Sequence, residues 1–106
     1  MKIPTSFKLY GQTIQVEFAK DILGKDDLVG YAEYRTNTIY LAPSTDVYPR
    51  SQEQIEQTFC HELLHLILHF AGEDKLRKNE KFVGALAYLL HQALITMEGE
   101  TNDKDV

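Results

Sequence analysis

The chain carries a single cysteine, Cys60, and no tryptophan among its 106 residues. One thiol cannot close an internal disulfide, which fits a reducing compartment. Basic residues are in deficit: 11 lysines and arginines stand against 16 aspartates and glutamates, a net charge of −5. That balance argues against a general nucleic-acid binder. A long apolar run is also missing. The longest, residues 59–71, is too short and too polar to span a bilayer. The opening MKIPTSFKLYGQ has no apolar segment of the signal-peptide type. The expectation is a cytoplasmic protein with no membrane and no nucleic-acid partner. There is no internal repeat and no linker between domains. One domain is expected over residues 1–97, followed at 98–106 by an acidic, disordered tail with almost nothing to bury.

What is present changes character near Ser51. Before it, Phe7, Leu9, Ile14, Val16 and Phe18 alternate with polar residues around Tyr10-Gly11-Gln12, the pattern of a hairpin. A second hairpin is expected where 31–34 and 38–41 flank Arg35-Thr36-Asn37. Pro43 ends it, because proline cannot donate to a ladder. Segment 21–27 reads as a loop or a short helical turn. From Ser51 onward the apolar period becomes 3.6. Ser51 and Gln54 have capping-box spacing, a helix is expected over about 52–71, and Gly72 suits a left-handed C-cap. A second helix is expected from Glu73 or Asp74. Its apolar face would carry Leu76, Val83, Leu86, Ala87, Leu90 and Leu94, fading near Met97. The fold class is therefore α+β: a small N-terminal β-sheet of three or four strands, then an antiparallel two-helix hairpin.

Within the first helix lies His61-Glu62-Leu63-Leu64-His65, an HExxH motif. Residues four apart share one helix face, one turn above each other. Both imidazoles can converge on one metal ion, and Glu62 beside that face can reach a water held there. Two histidine ligands with a glutamate as general base are the arrangement of zinc hydrolases. Phe59, Leu63, Leu64, Leu66, Ile67 and Leu68 surround the motif on nearly all sides, as in a buried helix. Burial of two histidines and a glutamate is costly unless they are paired, bonded or ligated. Histidines satisfied within a core are the plainer alternative; a metal ion satisfies all three groups together. Cys60 adjoins His61 but points about 100° away, and reads as a small buried filler.

A catalytic zinc site takes three protein ligands. His69, Glu73, Asp74, Glu80 and His91 are the candidates for the third. His69 repeats the spacing but lies roughly 9 Å further along the axis, out of reach on a straight helix. In an antiparallel hairpin folded at Gly72-Glu73, His65 stands as far before the fold as Glu80 stands after it, so the two return to one height. Glu80 also sits in the inward stripe, between Leu76 and Val83, and Gly84 one turn on would let the helices approach. The alternative for Glu80 is a solvated charge beside Lys78 and Lys81. Glu73 and Asp74 fall at the far end of the hairpin. His91 is either a polar break in the stripe or a donor near the site. The expected metal ligands are His61, His65 and Glu80, with Zn2+ as cofactor and Glu62 as the catalytic group.

HExxH followed by Asn79-Glu80 on the next helix resembles the gluzincin class of zinc metallopeptidases, where the third ligand is a glutamate, often inside an Asn-Glu pair. The compact layout is similar to small zincin-like domains related to ImmA/IrrE and SprT peptidases, many encoded by phages and other mobile elements. The resemblance covers about residues 58–94. It implies hydrolysis of peptide bonds through a metal-activated water with Glu62 as general base. It also implies a peptide or protein substrate held by β-augmentation on a strand beside the active-site helix. By order in the chain that strand is 37–41, with Asn37 and Leu41 at its ends. Tyr40, Tyr88 and His91 are candidate oxyanion donors.

Two readings of other classes stand beside this one. The first is a non-catalytic, zinc-binding regulatory or interaction module that keeps its ion for stability; Glu62 argues against it, since a structural site needs no base. The second is a metal-free adaptor whose basic cluster, Lys75, Arg77, Lys78 and Lys81, meets an acidic partner.

Overall fold

The sheet grows from two hairpins. β1 (Ser6–Leu9) and β2 (Gln12–Phe18) pair antiparallel across a two-residue turn. Tyr10 and Gly11 in that turn have φ of 49° and 74°. Positive φ at both positions matches the twist of the flanking strands. β3 (Gly30–Glu33) and β4 (Thr38–Leu41) form the second hairpin. β2 and β4 then join in parallel, giving the order β1-β2-β4-β3. A short helix, α1 (Ile22–Asp26), carries the chain from β2 toward β3. The computed structural model describes residues 1–26 and 28–101. Asp27, the last residue of the expected loop or turn, lies outside them.

This order corrects the expected path of a bound peptide. β4 is hydrogen-bonded to β2 on one side and β3 on the other. Its backbone groups are already paired, so the strand from Asn37 to Leu41 offers no edge for β-augmentation. The free edges of the sheet are β1 and β3.

α2 (Gln52–Phe70) starts as the sequence predicts. The Ser51 hydroxyl accepts from the Gln54 N–H at 3.1 Å, and the Gln54 side chain accepts from the Ser51 N–H at 2.9 Å. At the other end Gly72 has φ 75°, with the Glu73 N–H donating to the Leu68 carbonyl and the Gly72 N–H to the His69 carbonyl. These two bonds close a Schellman motif that glycine permits at little steric cost. The core lies between sheet and helices. Ile14, Ile39 and Leu41 face Ile55, Phe59, Cys60 and Leu66 of α2, with Ala87 behind them. The Phe7 ring meets Phe59 edge-on at 6.0 Å. α2 is thus apolar on both sides because the sheet covers one and the returning helix the other.

The return is not one continuous helix. α3 (Asp74–Arg77) makes a single turn, and the chain breaks at Lys78-Asn79 before α4 (Glu80–Thr96). Asn79 has extended backbone, φ −89° and ψ 95°, and its side chain accepts from the Phe82 N–H at 3.1 Å. Asparagine bonds its neighbouring backbone readily, so it starts a helix better than it continues one. The buried stripe of α4 is Val83, Ala87 and His91, whereas Leu86 and Leu94 are exposed. A Cβ on Gly84 would meet nothing within 4 Å, so close helix approach is not the reason for that glycine. Of the tail expected at 98–106, residues 102–106 lie outside the described residues.

Candidate metal centre

His61 and His65 stand one turn apart on α2, their ring centroids 4.9 Å from each other. Glu80, the first residue of α4, reaches both. Its Oε2 lies 2.9 Å from His61 Nε2 and its Oε1 3.1 Å from His65 Nε2. The ligand-type atoms of the three residues all fall within 4.8 Å of one another. Asn79 places the glutamate: by capping α4 it puts Glu80 in the first turn, at the level of the two imidazoles.

Whether this cluster suits a cation can be judged from the imidazoles. Burial holds His65 below the usual histidine pKa, against the pull of Glu80. A neutral ring is therefore favoured. His65 Nδ1 is buried and makes no hydrogen bond of good geometry, though the Arg77 backbone lies toward it as an acceptor. With the proton on Nδ1, the Nε2 lone pair would face the Glu80 carboxylate, acceptor against acceptor. A divalent cation between them removes that conflict. Two imidazole nitrogens and a carboxylate are also a donor set that zinc accepts. The residues present fit such an ion.

Glu62 is buried, with 8% of its surface exposed. Burial, and next the nearby Glu80 charge, push its carboxyl up to about 7, while the Ala32 N–H pulls the other way. A bound cation would favour the carboxylate. Ala32 lies on β3, and its amide is free to turn to Glu62 for a reason of register. The Ala42 N–H bonds the Val29 carbonyl. Alternation along an antiparallel ladder then aims Tyr31 at β4, and Gly30 and Ala32 at the open edge.

An open groove of about 510 Å³ runs past these four side chains, walled by Leu28, Val29, Gly30, Gln57 and Thr58. β3 lies close on α2 because Gly30 has no side chain: a Cβ there would fall 2.6 Å from Thr58 Cγ2 and 3.0 Å from the Tyr40 carbonyl. Arg50 ties this wall together. Its guanidinium donates to Thr58 Oγ1 at 2.6 Å, to the Val29 carbonyl at 3.3 Å, and to the Ala42 carbonyl.

The remaining candidates fall elsewhere. His69 lies tilted against Tyr34, centroids 4.6 Å apart, and Arg77 lies over the same tyrosine ring at 4.9 Å. Glu73 stands just before α3 without a capping hydrogen bond from its side chain, and Asp74 pairs with Arg77 at 3.4 Å. His91 Nε2 meets Glu56 Oε1 at 2.9 Å, with both side chains buried. Tyr40 stacks on Tyr31 at 4.9 Å, and Tyr88 is exposed on α4. None of Tyr40, Tyr88 and His91 lines the groove. Of the expected basic cluster, Arg77 is taken up by Tyr34 and Asp74. Sequence reading missed Gln57, Gly30 and Arg50. Gln57 was findable, one turn before His61 on the same face; nothing local marks the other two.

Two helical histidines, a buried glutamate beside them and a second glutamate from the following helix, all under a sheet edge, make the arrangement of a zincin-like site. The sequence model of the SprT-like family matches residues 5–87, more than half of the chain, and the chain belongs to that family. The family is associated with the zincin-like metallopeptidase fold. No curated protein and no solved structure matches the chain.

Proposed function

We propose that this chain is a zinc-dependent metalloendopeptidase. The reading rests on one observation: His61, His65 and Glu80 converge at a point, with buried Glu62 beside them in an open groove. His61, His65 and Glu80 would hold the ion. When bound, zinc supplies a Lewis acid that acidifies water and polarises a carbonyl. The chain supplies the rest. The Glu62 carboxylate, steadied by the Ala32 N–H, takes a proton from the attacking water and delivers it to the leaving amine. The free edge of β3 is the place for an extended peptide, since Gly30 keeps both its outward N–H and C=O and Ala32 its C=O. Gln57 brings a neutral amide donor into the groove wall, suited to a developing oxyanion.

Metal analysis of protein purified without chelator should give one zinc per chain, lost in His65→Ala. Glu62→Gln keeps the shape of the site and removes the base. It should keep zinc, while cleavage of a broad peptide library falls by at least ~10²-fold. A wild type that cleaves nothing beyond the Glu62→Gln background would point instead to a zinc-binding module without turnover. A variant as fast as wild type would refute the role given to Glu62.

A further inference from the structure

We infer that Tyr34 and Arg77 are positioning residues for His65: the Tyr34 ring holds the Arg77 side chain, and with it the Arg77 carbonyl that takes the proton of His65 Nδ1. Their role rests on the metal site proposed above. There His65 offers Nε2 to the ion, so Nδ1 has to carry the proton. A ligating imidazole needs an acceptor on its other nitrogen, which fixes both its tautomer and its orientation. Among the described residues, the buried side-chain nitrogens without a hydrogen-bond partner are His65 Nδ1 and Arg77 Nε, one from α2 and one from α3. The break before α4 supplies the acceptor. In a continuous helix the Arg77 carbonyl would accept from the Lys81 N–H, four residues on. Here α3 stops at Arg77 and Asn79 starts a new helix. No backbone N–H among the described residues donates to the Arg77 carbonyl. It lies instead toward His65, as an acceptor for the ring. A carbonyl orphaned by a helix end thus meets an orphaned buried donor.

What steadies Arg77 comes from the sheet. Tyr34 directly follows β3, in the turn to β4. The guanidinium carbon of Arg77 lies 4.9 Å from the centre of its ring. A cation over an aromatic face is attracted to it, more so when water is kept away, and the Arg77 side chain is 19% exposed. Asp74 also pairs with Arg77, but its carboxylate is 66% exposed, so water screens that contact. The tyrosine is therefore the firmer hold. His69 gains a place in the same cluster. It stands one turn beyond His65 and sets its ring 4.6 Å from Tyr34. A link thus runs from the turn of the sheet through Tyr34 and Arg77 to the ring of His65. Glu80, three residues after Arg77, follows the same short segment into the site.

The test has two readouts. Zinc affinity is measured by competition with a chromophoric chelator, at a temperature where circular dichroism shows each variant folded. Tyr34→Leu and Arg77→Met should each weaken zinc by about ten-fold, the lower end for partners of ligating histidines. Tyr34→Phe keeps the ring and Arg77→Lys the cation, and both should bind zinc as wild type does. His69→Ala removes a neighbour of Tyr34 but not its contact with Arg77, and should do the same. The tautomer is read without metal. Glu80→Ala takes away the competing acceptor at His65 Nε2. NMR of the ring nitrogens at about pH 8, where the imidazole is neutral, then shows where the His65 proton sits. It should sit on Nδ1, and adding Tyr34→Leu should leave a mixture of both tautomers. If Tyr34 served the fold alone, Tyr34→Leu would lower Tm and leave zinc affinity and tautomer unchanged; that result would overturn the proposal. So would a proton on Nε2 in the Glu80→Ala protein, or conservative variants as weak as Tyr34→Leu. If wild type bound no zinc, the metal reading would fall, while the tautomer would still decide for or against Arg77.

Discussion

His91→Leu separates a structural histidine from one that serves the metal centre. Glu56 and His91 bridge α2 and α4 at 2.9 Å, with side chains 8% and 2% exposed. Burial pushes the Glu56 carboxyl up, but the bonds from His91 and Gln52 and the Met1 amino group at 3.5 Å outweigh it and hold the carboxyl below its usual range. Leucine at 91 fills most of the space and leaves Glu56 without its main partner. Breaking a buried pair costs about 3–5 kcal/mol. The amino group and Gln52 still serve Glu56, so about 2–3 kcal/mol is expected. At about 4–8 °C per kcal/mol for a domain of this size, Tm falls by about 10–20 °C. Replacing both residues by leucine removes the stranded charge along with its partner. The double variant should then be more stable than the summed singles predict, by about 2 kcal/mol.

Urea unfolding of the four proteins at pH 7 reads these differences, and zinc titration runs beside it. The pH dependence has a definite sign. A folded-state pKa below the unfolded value of 4.5 means that the Glu56 contribution is complete above that pH. It is lost as pH falls through the folded value. The Glu56 part of the gap between wild type and the double variant should therefore close as pH falls below about 4.5. Zinc affinity should not change, because His91 is outside the groove. Additive single variants would refute the buried-pair argument. A loss of zinc binding without a loss of stability would return His91 to the metal centre.

Three further outcomes follow from the geometry. Adding zinc at about 100 times its Kd should stabilise wild type by about 2.7 kcal/mol; Glu80→Gln should lose most of that gain and His69→Ala almost none, read as the zinc-induced shift in Tm. Asn79→Ala removes the cap of α4 and should cost about 1 kcal/mol in urea unfolding, together with a measurable drop in zinc affinity, because the cap sets where Glu80 stands. Gly30→Ala drives a methyl group to 2.6 Å from Thr58 Cγ2; a loss of about 1–3 kcal/mol is expected, and an unchanged stability would mean that β3 does not press on α2 as described.

Much of the framework was legible because it is encoded within a few residues. The Ser51–Gln54 capping box, the left-handed Gly72 and the four-residue interval of His61 and His65 depend on local backbone geometry alone. The two hairpins announce themselves through alternation and turn residues. Glu80 arrives at the height that residue counting from Gly72 places it, though by a different route: one turn of α3, a break, and the first residue of a capped helix. Asn79 carried that information, and it can be read as a cap only once the helix is known to stop.

What the sequence by itself determined, then, is the change from strands to helices and the pair of histidines on one face. Which strand lies between which was decided in three dimensions. β4 became an inner strand because β2 pairs directly with it in parallel although β3 lies between them in sequence, and no local pattern distinguishes an inner β4 from an edge β4. The same holds for Arg50, whose partners are spread over β3, β4 and α2, and for His91, whose partner stands 35 residues away. Such pairings depend on how the layers close on one another. Periodicity records only which face of an element is apolar, and leaves open what will cover it.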